Sequence, residues 1–287
     1  MAGALTQLSP AEKAYIEDGV AQNFRADGRQ CGDARAFSVE TRVVSNTNGS
    51  ARVRLGGSDV LVGIKLVTTE PSAAAPDCGK VEVMVDCSAG ASPAFVQRGG
   101  DTLAHALGVA IRRLTHTPGT LDLRALCIIP GARAWQIHVD ALILECAGGN
   151  LFDCCGLAVR AALGCTEVNR TEVVADETGE PVDFELLEDT DPLDVSSFPV
   201  LVSLVQIGEL HVVDASAEEE ACGQGHMLVA VNKEGNICSV HKGGRGGVTP
   251  AVLVEMLRLA RDKGVALIEI LDEKLASLAG GGFTGVT

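Results

Sequence analysis

Aromatic side chains make up only 3% of this 287-residue chain: one Trp, one Tyr and seven Phe. A protein that binds single-stranded nucleic acid by stacking successive bases needs a row of such rings, so that class is excluded. Basic residues are also few, 23 Lys and Arg against 38 Asp and Glu, which leaves a formal net charge of -15. Affinity for a phosphate backbone comes chiefly from clustered cations that release counterions. The chain is therefore not a free-standing nucleic-acid binder, and any RNA contact is local or shared with partners. No apolar run reaches the roughly 18 to 20 residues that span a bilayer. Residues 1–10 lack the basic start and apolar stretch of a secretory signal, so an intracellular protein without membrane contact is expected.

No Cys-x-x-Cys pair exists. The ten cysteines lie singly, apart from adjacent Cys154 and Cys155, which removes the spacing with which thiolates grip zinc. Neither a metal nor a cofactor is expected. Several cysteines sit in apolar stretches such as Ala125-Leu126-Cys127-Ile128-Ile129, where a thiol packs as a small hydrophobe in a reducing compartment. P-loop and Rossmann glycine fingerprints are also missing.

What is present is a large apolar fraction, 46% of the chain, arranged in two alternating periods. Ser9 and Pro10 are placed to cap a short amphipathic helix reaching Asn23. Strand-like alternation begins near Phe37, and Ala51–Leu55 with Val60–Leu66 read as a hairpin around Gly56-Gly57. Residues 69–77 read as an exposed loop and Val81–Cys87 as a strand. Leu103, Ala106, Leu107, Ala110, Ile111 and Leu114 recur at helical spacing over 101–114. Ala134–Cys146 reads as a long strand whose apolar end is buried on both faces, followed by a buried helix over 151–163. Residues 166–192, rich in acids and flanked by prolines, read as a loop joining two halves. Four short strands follow, at 200–207, 211–214, 227–232 and 237–241, and then a long helix from Pro250 to Leu278, stopped by Gly280–Gly282. Antiparallel strands followed by helices in each half give an α+β fold. The expected organisation is an N-terminal helix at 1–24, a first half at 25–165, an acidic connector at 166–194 and a second half at 195–287.

Several short segments go beyond architecture. Arg25-Ala26-Asp27-Gly28-Arg29 precedes Gly49-Ser50-Ala51-Arg52-Val53-Arg54-Leu55-Gly56, and Val85-Asp86-Cys87-Ser88-Ala89 lies before the first long helix. Leu144–Asp153 contains Gly148-Gly149-Asn150, and Val212-Val213-Asp214-Ala215 leads into Glu219-Glu220-Ala221-Cys222-Gly223-Gln224-Gly225-His226-Met227. Together these resemble the RNase PH family along nearly the whole chain, from Ser9 to Leu278. The likeness is closest to the RNase PH-like subunits of the RNA exosome ring, in the non-catalytic branch related to the inactive archaeal ring subunit.

The resemblance implies two stacked sheet-and-helix halves of the ribosomal protein S5 domain 2-like type. It also implies a place in a heterohexameric ring with other RNase PH-like subunits, beneath RNA-binding cap subunits of the S1 and KH type, with RNA passing through a shared channel. The work implied is 3′-to-5′ RNA processing and degradation, including rRNA maturation and mRNA turnover, in nucleus, nucleolus and cytoplasm. Active members hold phosphate with a hydroxyl and a guanidinium at the turn that matches Gly148, Gly149 and Asn150, and neither group is present here. They carry a carboxylate where this chain has His226, and Glu220 matches a second acidic position. A neutral imidazole accepts a proton but does not replace a negative carboxylate beside phosphate. Of the arginines that hold RNA in active members, Arg98, Arg112 and Arg113 remain as candidate contacts. The implied reading is a ring subunit without catalytic residues; the alternative is an active phosphate-dependent exoribonuclease, or the activating half of a paired site. For Arg25, Asp27, Gly28, Arg29 and Arg35 an architectural role is expected, Arg–Asp pairing fixing the N-terminal helix against the sheet. Gly243-Gly244-Arg245-Gly246-Gly247 reads as a flexible loop.

Overall fold

The computed structural model describes residues 7–95, 100–175, 181–244 and 246–280. The chain enters α1 (Pro10–Ala21) through Ser9, whose hydroxyl accepts from the Glu12 amide while the Glu12 carboxylate accepts from the Ser9 amide. That reciprocal cap, with Pro10 in the first turn, starts the helix where the sequence places it. Its amphipathic character is weaker than expected: only Val20 is fully buried, and Tyr15 remains exposed.

The first sheet contains β1 (Phe37–Thr41), β2 (Gly49–Leu55), β3 (Ser58–Thr69) and β4 (Lys80–Cys87), then, after α2 (Asp101–His116), β5 (Cys127–Ile129) and β6 (Arg133–Cys146). Its order is β1-β2-β3-β6-β4, with β5 on the start of β6. All pairings are antiparallel except that of β4 with β6, where Val83 faces Val139 and α2 supplies the crossover that a parallel pair requires. The far end of β6 is not buried on both faces as expected. Ile137, Val139, Ala141 and Ile143 point into the core, while Leu142 is exposed. A bulge opposite Asp59 and Val60 then shifts the phase, so that Cys146 turns inward and Glu145 outward.

α3 (Leu151–Gly164) is buried from Leu151 to Leu163, with only Asp153 and Arg160 charged among otherwise apolar residues. Residues 166–192 correct the expectation of a loop. The described residues among them form a two-stranded antiparallel ribbon, β7 (Glu167–Ala175) and β8 (Pro181–Pro192), fastened by Arg170 to Asp191. Its alternation is hard to see in the sequence because most of the ribbon stands clear of the core: Val168 packs against the main apolar cluster, while Val173, Val174 and Leu186 are exposed.

The second sheet takes β9 (Val200–Ile207), β10 (Leu210–Val213), β11 (Gly225–Val231) and β12 (Ile237–Gly244) in the order β10-β9-β11-β12, all antiparallel. α4 (Ala217–Cys222) joins β10 to β11, and α5 (Pro250–Gly280) packs on β9 and β11 and reaches β1. The glycine segment expected as a loop is partly strand, since β12 includes Gly243 and Gly244. Arg245, Gly281 and Gly282 lie outside the described residues. β2 and β3 lie against one side of α3 and β9 against another, which is why the helix has no polar face. A single apolar cluster accordingly runs through both halves, including Val53 and Ile143 of the first sheet with Val202 and Val229 of the second.

Candidate functional site

The turn between β6 and α3 is built by exclusion of side chains. A Cβ on Gly148 would lie 2.5 Å from the backbone nitrogen of Gly57, and one on Gly149 the same distance from that of Ala217. Gly149 also has φ of +71°, a conformation that disfavours other residues. Asn150 follows in the left-handed region and caps α3, its side-chain oxygen accepting from the Asp153 amide. Its side-chain Nδ2 donates to Asp214 Oδ1 at 2.6 Å and to Asp153 Oδ2 at 2.9 Å, and the Ser203 hydroxyl donates to its Oδ1. Its backbone amide donates to Glu220 Oε1 at 2.7 Å.

Behind the turn the arginine-rich entry segment meets the second half of the chain. Arg25 is fully buried and makes a two-pronged ion pair with Glu219 while donating to the carbonyls of Val213 and Asp214. Arg29 bonds Asp27 and Asp214; Arg35 grips both oxygens of Asp214 and donates to the Gly148 carbonyl. The architectural role expected of these residues is what the structure displays, with partners that come mostly from residues 213–219. Burial pushes the Asp214 carboxyl up, but Arg35 and Asn150 outweigh it and hold Asp214 below the usual carboxylate range.

Sequence reasoning overlooks Asp153, one turn into α3. It is buried, and one of its oxygens, Oδ1, has no partner among the described residues. Burial, with Asp214 adding to it, raises this carboxyl to about 7. A lone acid within an apolar helix was the available signal. Glu219 and Glu220 also take separate roles that adjacency hides, and the Ser216 to Glu219 spacing that caps α4 is a readable capping box.

His226 stands on β11 directly opposite Gly243 of β12, where a Cβ would come within 2.3 Å of the imidazole. β11 begins at Gly225, so the strand starts ahead of Met227 rather than at it. The ring lies nearly parallel to Phe152, with 6.5 Å between centroids and 20° between planes. Its Nε2 is buried without a partner among the described residues. Burial, with His241 and Lys242 adding to it, lowers the imidazole to about 4, so it is neutral at pH 7.

Phe152, His226 and Leu228 stand where two cavities meet, each of about 230 Å³. The first lies toward the α3 turn and has Asn150, Glu220 and His226 in its wall. The second lies between α2 and the second sheet, with Arg113 and His241 at its rim. Arg113 is exposed and bonds His241 Nδ1 at 2.9 Å, whereas Arg112 donates to the Val83 carbonyl on the first sheet. The structure thus gathers Gly149, Asn150, Glu220 and His226, brings Arg113 to the neighbouring cavity and ties Arg112 elsewhere. Arg98 lies outside the described residues. Among the described residues no three His, Cys, Asp or Glu side chains gather where they could share a metal ion, and no helix is long and apolar enough to cross a membrane.

Residues 33–169 match domain 1 of the 3′ exoribonuclease family, RNase PH, and residues 197–263 match its domain 2. A protein of Methanocella arvoryzae named exosome complex component Rrp42 is 34% identical over 92% of this chain and 97% of its own length. Two solved structures share the fold. An Archaeoglobus fulgidus exosome with RNA bound to the active site superposes with a TM-score of 0.77 at 28% identity, covering 90% of this chain and 97% of that one. An archaeal exosome core gives 0.74 at 27% identity, covering 91% and 96%.

Proposed function

Because this chain belongs to the RNase PH family of 3′ exoribonucleases and carries both of its domains, we propose that it serves the RNA exosome as a ring subunit without a phosphorolytic site of its own. Membership of the ring, with other RNase PH-like subunits and RNA as partners, follows from the whole-length likeness to exosome components. The non-catalytic part rests on one observation above the others, the state of the α3 turn. Gly149 has no room for a hydroxyl-bearing side chain, the Asn150 side chain is consumed by Asp153, Asp214 and Ser203, and its amide is taken by Glu220. His226, neutral and half-buried, supplies no negative charge nearby. The ring would pass RNA on to a nuclease carried by another subunit, under caps of the S1 and KH type.

The test is phosphate-dependent shortening of a 3′-labelled RNA by the purified chain, alone and assembled with RNase PH-like partners. No shortening by the chain alone is expected, together with co-elution in a heterohexameric ring. Robust shortening by the chain alone, abolished by Glu220→Ala, would overturn the reading. One observation favours a second reading, the activating half of a paired site: Arg113 presents its guanidinium at the rim of an open cavity. In that case Arg113→Ala would slow shortening by a ring whose partner subunit is active.

A further inference from the structure

The 12-residue helix α1 spends little of its apolar surface on the fold. Val20 is fully buried, and Leu8 and Ile16 lean on a small cluster that includes Val205, Ile207 and Val212. Tyr15, 68% exposed, and Phe24, 63% exposed, take no part in it. The chain has one Tyr, one Trp and seven Phe, and among the described residues every other aromatic ring is at least partly covered. A single apolar side chain in water needs no explanation, but two aromatic ones beside the same hollow mark a contact surface, since such rings are the usual anchors of an interface.

Two hollows adjoin along α1. One, of about 410 Å³, lies beside Leu8, Ala11 and Tyr15; the other, of about 240 Å³, runs from Tyr15 to Phe24. Tyr15, Ile16, Ala26 and Glu219 border both, so the two make one groove with Ala26 and the first turn of α4 on its far side. Its charge is of one sign. Glu12, Asp18 and Glu218 stand exposed at its edge. The Ser9 amide holds the Glu12 carboxylate in place, and the Ser216 hydroxyl holds that of Glu218. The cation in the wall, Arg25, is fully buried and committed to Glu219, so no exposed cation stands among the described residues that line the groove. Such a surface repels a nucleic acid or an anionic membrane and complements a partner that brings apolar side chains together with positive charge.

We propose that the groove between α1 and the first turn of α4 is a docking surface for a protein segment whose apolar anchor side chains are flanked by lysine or arginine. The apolar anchors enter the hollows on either side of Tyr15, and the cations meet Glu12, Asp18 and Glu218. This docking requires neither a ring nor RNA, and peptide binding and RNA shortening are separate readouts, so one can fail while the other stands.

The experiment pans a display library of short random peptides against the full-length chain and measures the enriched sequences, made synthetically, by fluorescence anisotropy. Enrichment of apolar side chains beside Lys or Arg is expected, with an affinity that falls as salt rises. That affinity should drop at least about tenfold for Asp18→Lys combined with Glu218→Lys, and again for Tyr15→Ala. All three side chains are exposed, so the Tm of these variants should stay near that of wild type. Enrichment of acidic or uncharged peptides, or binding that survives these changes, would overturn the proposal. So would self-association of the chain abolished by Tyr15→Ala, which would make a second copy the occupant. Should a variant fail to fold, nuclear magnetic resonance on the wild type decides: peptide-induced shifts at the amides of Tyr15, Phe24 and Ala26 are the expected result, and shifts confined to other surfaces would sink it.

Discussion

At the N-terminus of α3, the turn amide, the Asn150 side chain and the arginines behind them all bond within the chain. Across Phe152 and His226, between α2 and the second sheet, Arg113 is exposed and His226 Nε2 finds no partner among the described residues. The two regions adjoin, yet polar groups in one are locked into the framework, while in the other Arg113 stays exposed with one bond, to His241 Nδ1. A group kept by a fold for packing and a group kept for contact are told apart by where the hydrogen bonds go.

The sharpest way to break that contrast is to place a hydroxyl-bearing side chain at the closed turn. Gly149→Thr places a Cβ against the Ala217 backbone at a positive φ, so a loss of about 4 kcal/mol or more is expected, read by urea unfolding. Grafting a phosphate-binding turn by Gly149→Thr and Asn150→Arg, with His226→Asp, should fail to fold before activity can be asked about. Next in size is Arg25→Ala, which leaves Glu219 buried and uncompensated. It should cost about 3–5 kcal/mol, and a fall in Tm checks it.

Asp153→Asn sharpens the comparison through pH. Burial raises the folded-state value of Asp153 to about 7, against about 3.9 in an unfolded chain. A raised value means that the group's favourable contribution is complete below about pH 4 and is lost as pH climbs through about 7. Unfolding free energy measured between pH 4 and 7 should therefore fall less in the variant than in wild type. Asp214, held low beside Arg35, runs the other way and loses its contribution only as pH falls through its lowered folded-state value. The smallest effect on stability belongs to the open region: Arg113→Ala should stay within about 0.5 kcal/mol of wild type. Its readout is RNA binding by the assembled ring, where the salt dependence should weaken by about one counterion.

The elements most legible in the sequence are those whose burial is one-sided or complete. The helical spacing of Leu103, Leu107, Ile111 and Leu114 in α2, and the apolar run of α3 interrupted only by Asp153 and Arg160, follow from packing against sheets. The β7–β8 ribbon escapes notice because solvent on its faces imposes no apolar rhythm, and its acidic residues look like those of a loop. The candidate site is legible only in part. That Gly149, Asn150 and His226 stand at positions singled out by the family resemblance is visible in order of sequence. That Glu220 occupies the turn is not, because the contact joins positions 70 residues apart. Arg112 and Arg113 show the same limit: neighbours in the chain, they point to different sheets.

α3 is shared between the two sheets, and this has a consequence for how the protein is made. Residues 151–163 leave the ribosome before β9 exists, so one flank of an apolar helix has no cover until Val200–Ile207 has been synthesised. Domains usually fold as units while the chain is still growing, but here the leading half cannot close its core alone. Nascent chains stalled between α3 and β9 should be the aggregation-prone species and the ones that need a chaperone, and the chain should resist expression as two separate halves unless both are supplied together.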